Sequence, residues 1–90
     1  MSDELQATFL QAKDDVVKLS KAPDNDTKLQ LYALFKQSTE GDCTGARPGM
    51  LDFVGRVKYD MWKKLEGTTK EQAMQKYVDL VESLKAADKK

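Results

Sequence analysis

Ninety residues are enough for one small domain, 1–90, and this chain balances 15 Lys and Arg against 15 Asp and Glu with 33% charged and 40% hydrophobic residues. That mixture excludes a disordered tail, and no run approaches the roughly 18 consecutive apolar residues of a membrane span. Histidine is absent and Cys43 is the single cysteine, which excludes Ser-His and Cys-His pairs, histidine metal sites and an internal disulfide, and points to binding rather than catalysis.

The opening run MSDELQATF has acids where an export signal carries Lys or Arg before an apolar stretch, so a cytoplasmic chain is expected. The first predicted helix starts on Ser2 as N-cap, with Asp3 and Glu4 at the end that favours anions. Leu5, Phe9, Ala12, Val16 and Leu19 follow at steps of four and three, an apolar stripe of helical period, and Pro23 closes the segment. The second opens on Asp24-Asn25-Asp26, places Leu31, Leu34, Phe35 and Ser38 on one face, and stops at Gly41. Residues 41–49 form a loop of turn formers, long for an antiparallel connection, so the helices on either side need not be neighbours.

The third segment, about 51–65, spaces Asp52 before Arg56 and Asp60 before Lys64 as helix ion pairs. The fourth begins at Thr69 with Gln72, or at Thr68 with Glu71, both of capping-box spacing. Ala73, Tyr77, Leu80, Val81 and Leu84 carry its stripe, and 86–90 should fray. No alternating strand pattern or internal repeat interrupts this series, so the fold class is all-α with four helices.

Charge is uneven along the chain. Residues 1–26 hold three lysines and six acids, a net of −3, whereas 27–64 hold seven bases and four acids, a net of +3. A basic centre in a neutral chain suits a compact anion better than duplex DNA, which rewards a broad basic face.

The informative residues are those that break the apolar stripes. Tyr32 and Lys36, four apart, share one helix face with Phe35 beside them; packing of the rings in the core is the plain reading of such spacing. Lys58 falls between Val54 and Met61-Trp62, where a lysine also sits by snorkelling its stem over the core edge. Tyr77 is a third candidate, again with core packing as its alternative. The 41–49 loop has glycines and Arg47 but neither the phosphate-loop pattern nor a preceding strand. Cys43 there has no partner for nucleophilic or redox work.

Tyr32-Ala33-Leu34-Phe35-Lys36-Gln37-Ser38-Thr39-Glu40-Gly41-Asp42, then Arg47-Pro48-Gly49-Met50-Leu51-Asp52, resembles the signature of the acyl-CoA-binding protein family. Lys58-Tyr59-Asp60-Met61-Trp62-Lys63-Lys64-Leu65-Glu66-Gly67-Thr68-Thr69-Lys70-Glu71-Gln72-Ala73-Met74 resembles its third-to-fourth-helix junction, and the likeness runs over about 5–85. The resemblance implies an up-down-down-up four-helix bundle that holds long-chain fatty acyl-CoA esters without chemistry, as an intracellular carrier and buffer. It implies that Tyr32 and Lys36 meet the CoA head, that Lys36 and Lys58 serve the ribose 3′-phosphate, and that Tyr77 packs near the adenine. Phe35 stands where relatives usually carry tyrosine and keeps the ring. Val54 stands where many carry lysine, Tyr59 where tryptophan is common, and Val17 at a commonly basic position, with Lys18 beside it as the candidate substitute. It further implies no cofactor, metal, nucleic acid or stable membrane insertion, a monomer, and transient contact with acyl-CoA-using enzymes. Two competing classes are a helical protein-interaction module with an apolar groove and a thioesterase acting through Cys43 or a carboxylate.

Overall fold

The computed structural model describes residues 3–88, which form four helices: α1 Asp3–Val16, α2 Asn25–Glu40, α3 Phe53–Lys63 and α4 Lys70–Asp88. The expected Ser2 cap lies outside the described residues. Asp24 caps α2 by accepting the Thr27 N–H at 2.8 Å, and Gly41, at φ 84°, ends it. Between the two spacings open for α4 the structure selects Thr69 and Gln72: each side chain accepts the other's backbone N–H at 3.0 Å.

Four local features depart from the sequence reading, and each has a stated partner. α1 stops at Val16, well short of Pro23; the Lys18 N–H turns back to the Asp15 carbonyl at 3.0 Å, and two successive β-branched residues, Val16 and Val17, weaken the helix there. Leu19 therefore belongs to the connection. Asp52 uses its carboxylate to cap α3, accepting the Gly55 N–H at 2.9 Å, and Asp60 takes the Arg47 guanidinium at 2.8 and 3.0 Å, so neither acid makes the helix ion pair its spacing suggests. α4 stays helical through Asp88, past the expected fraying at Ala86, and the Asp88 carboxylate accepts the Ser20 N–H at 3.2 Å.

Side-chain register fixes the topology. Asn25, Lys28 and Leu29 face Phe53, Val54 and Val57, Tyr32 meets Lys58, and Gln37 meets Trp62, so α2 and α3 run parallel. Phe9 meets Tyr77 and Asp15 meets Lys85, so α1 and α4 are parallel as well. The end of α2 bonds to Thr68 at the start of α4, which sets those two antiparallel. The chain thus runs up-down-down-up. The long connection does not separate α2 from α3. Sixteen residues of α2 rise about 24 Å, and residues 41–52 carry the chain back along that length so that α3 lies beside it in the same direction.

Phe9 and Ala12 of α1, Leu31 and Leu34 of α2, and Met74, Tyr77, Val78 and Val81 of α4 form the buried core. α3 contributes no buried residue and packs on α2 alone. Its Phe53, Val54 and Val57 remain exposed, although their spacing reads as a core stripe. No helix among the described residues is long and apolar enough to cross a membrane.

Candidate functional site

The early stop of α1 opens a cleft. Val16, Val17, Leu19, Ala22 and Pro23 form one wall, and Leu31, Tyr32 and Phe35 of α2 form the other, with Tyr77 behind them and Lys28 at one side. The volume is about 520 Å³, within the range of small-molecule sites. A second hollow of about 420 Å³ runs between the first halves of α2 and α3, lined by Asn25, Lys28, Leu29, Phe53, Val54, Val57 and Lys58. Lys28 lines both, and the Lys58 ammonium of the second lies 5.0 Å above the Tyr32 ring of the first. The result is one continuous surface, aromatic at one end and aliphatic at the other, with ammonium groups at the junction.

The structure brings five of the six candidates to this surface or its edge. Tyr32 is half-buried beneath Lys58. Lys36 lies one helical turn further along the seam of α2 and α3, 5.3 Å over the Trp62 ring and paired with Glu40. The hydrogen bond from Lys36 to Glu40 raises its pKa and keeps it charged. Phe35 is half-buried and lies nearly parallel to Phe9, centroids 6.1 Å apart. Tyr77 meets Phe9 edge-on at 5.1 Å and is buried, which pushes its phenol pKa up. Tyr77 is thus both core and cleft wall. Lys18 lies elsewhere, at the far end of α1 and α4 beside Asp15, Lys85 and Asp88.

Three contributors were missed by sequence reasoning. Lys13 places its ammonium 4.8 Å over the Phe35 ring, and Lys28 joins the two hollows. The third is Gln37, fully buried and invisible in a hydropathy pattern because an amide on a helix reads as surface. Its amide donates to the Asp42 carboxylate at 2.9 Å and the Thr68 carbonyl at 2.7 Å, while its oxygen accepts the Trp62 indole N–H at 3.1 Å. The same indole donates to the Gly41 carbonyl at 2.9 Å, and Asp42 accepts the Gly67 N–H at 2.9 Å. The Gly67 and Gln37 bonds hold the Asp42 carboxyl below the ordinary range. This network locks the ends of α2 and α3 together and so fixes the ring under Lys36.

The loop is tied down rather than free to cradle a ligand. Arg47 is engaged by Asp60, whose pKa its guanidinium lowers, and the Tyr59 hydroxyl donates to the Gly45 carbonyl at 3.1 Å. Cys43 is buried.

The family model described as "Acyl CoA binding protein" matches residues 6–81. The chain belongs to the acyl-CoA-binding protein family. Within it, the chain is 46% identical to the acyl-CoA-binding protein homolog of Manduca sexta over 84 residues, covering 92% of this chain and 93% of that protein. It is also 50% identical over 82 residues to enoyl-CoA delta isomerase 2 of Rattus norvegicus, covering 91% of this chain but 21% of that protein, so it spans about a fifth of that relative's length. Among solved structures, Oryza sativa acyl-CoA-binding protein 2 superposes with a TM-score of 0.89 at 38% identity, covering 94% of each chain.

Proposed function

We propose that this chain binds long-chain fatty acyl-CoA esters non-covalently and acts as a cytoplasmic, monomeric carrier and buffer that passes them to acyl-CoA-using enzymes in transient contacts. The continuity of the aromatic cleft with the aliphatic hollow, joined at Lys28, Tyr32 and Lys58, is the observation that carries this reading. In it, Lys58 and Lys36 hold phosphate, Tyr32 donates a hydrogen bond, and Phe35 and Tyr77 frame the adenine. Lys13, over Phe35, supplies the first-helix cation in preference to the distant Lys18. The acyl tail lies along Leu29, Val54 and Val57.

The magnitudes suit this division. A hydrogen bond to a charged phosphate contributes about 1.5–3 kcal/mol and a stacked base about 1–3 kcal/mol, while each buried methylene adds about 0.8 kcal/mol. Tail length therefore dominates affinity, at about fourfold per methylene until the hollow is filled. Lys36 leaves Glu40 to meet a phosphate, so Lys36→Ala should cost near the lower figure, about 1.5 kcal/mol or tenfold. Titration calorimetry with palmitoyl-CoA tests this: Lys58→Ala and Lys36→Ala weaken binding, and dodecanoyl-CoA binds more weakly than palmitoyl-CoA. Unchanged affinity in both lysine variants would overturn the head-group assignment.

A further inference from the structure

The most anomalous surface of the molecule is the entry to α3. Leu51 is 97% exposed, Met50 77%, Phe53 74% and Val54 65%, an apolar run that projects from the fold while neighbouring apolar residues are packed. Exposed apolar groups in such continuity mark interaction sites. Phe53 and Val54 also line the aliphatic hollow, whereas Met50 and Leu51 do not.

The charges around this run are one-sided. Each of the four acids between residues 27 and 64 already has a partner: Glu40 has Lys36, Asp42 has Gln37 and Gly67, Asp52 has the Gly55 N–H, and Asp60 has Arg47. At the start of α2, Asp24 is turned onto the Thr27 N–H, which leaves Asp26 as the acid on that turn. Lys28 and Lys58, which flank the hollow, make no ion pair among the described residues. Projecting aliphatic side chains beside unpaired ammonium groups complement an anionic lipid surface, where each lysine near the headgroups adds attraction and the apolar groups enter the acyl boundary.

We propose that Met50, Leu51 and Phe53 dock reversibly into the interface of an anionic bilayer, with Lys28 and Lys58 facing the headgroups, so that the mouth of the aliphatic hollow opens onto the membrane. The role of the hollow rests on the reading given under Proposed function; the docking rests on the exposed run and its charges. An acyl chain could then pass between bilayer and hollow without crossing water.

Co-sedimentation with sucrose-loaded vesicles tests the proposal, using phosphatidylcholine alone and phosphatidylcholine with 30% phosphatidylserine. The protein should partition onto the anionic vesicles, several-fold more weakly onto neutral ones, and less at high salt. The Met50→Ser/Leu51→Ser variant should lose at least tenfold in partitioning, while its calorimetric affinity for palmitoyl-CoA without vesicles and its melting temperature match the parent. Failure of the parent to partition, or equal partitioning of the double variant, overturns the proposal. So does self-association of the parent in sedimentation equilibrium that the variant abolishes, since the run would then be an interface between copies. If palmitoyl-CoA fails to bind while vesicle partitioning follows the stated pattern, the acyl-CoA reading falls and the docking stands.

Discussion

Replacing Gln37 by leucine isolates the network that locks α2 to α3. The side chain is fully buried and makes three hydrogen bonds, but their loss is unequal. Trp62 retains the Gly41 carbonyl as acceptor, and Asp42 retains the Gly67 N–H as donor. Only the Thr68 carbonyl, for which Gln37 is the donor among the described residues, is stranded. A buried polar group left unsatisfied costs about 1–3 kcal/mol, partly offset by the apolar leucine, so a net loss of about 1–2 kcal/mol is expected. In a domain of this size that lowers the melting temperature by roughly 4–16 °C. Gln37→Glu should be worse, because a carboxylate loses both donors and faces Asp42. Thermal unfolding followed by far-ultraviolet circular dichroism reads both variants, and affinity for palmitoyl-CoA in Gln37→Leu should stay within threefold of the parent, since Gln37 lines neither hollow. A leucine variant melting within 1 °C of the parent, or below the glutamate variant, would refute the reasoning.

Gly41→Ala forces a side chain into a φ of 84°; the added methyl clears Lys70 Cε at 3.6 Å, so the penalty is the backbone's alone, about 1–2 kcal/mol. Gly49→Ala, with open space and no positive φ, should be neutral or slightly stabilising in the same melting assay. Asp15, Asp24, Asp42 and Asp60 all titrate below their ordinary value, through hydrogen bonds from Gln11, Thr27, Gly67 and Arg47 respectively. Their folded forms therefore hold protons less readily than the unfolded chain, so the stability they contribute is complete above about pH 4 and is lost as pH falls through the depressed values. Lys36, Lys63 and Lys85 are raised by Glu40, Glu66 and Asp15, and their contribution is lost only as pH rises past about 10.4. Melting temperature should be flat from about pH 5 to 9 and fall below about pH 4; an equal value at pH 3 and pH 7 would contradict this.

What the sequence made legible was whatever is encoded within four residues. The Asp24 cap, the Gly41 stop, the Thr69–Gln72 box and the shared face of Tyr32 and Lys36 are local geometry, and local spacing finds them. What it hid depends on which helices lie side by side. Lys58 over Tyr32, Lys36 over Trp62 and Lys13 over Phe35 exist only because of how the helices pack against one another. The Asp60 pairing went astray for the same reason: Arg47, thirteen residues away in the chain, offers a better fork than Lys64 on the next turn. Gln37 was overlooked because its burial follows from Trp62 and Thr68 converging on it.

The placement of α3 divides the labour of a very short chain. Three helices supply the whole packed interior, and the fourth rests on one of them while burying nothing of its own. Phe53, Val54 and Val57 can therefore be exchanged without asking the interior to repack. Relatives can diversify what they hold by rewriting a single helix face, and selection for cargo is uncoupled from selection for folding.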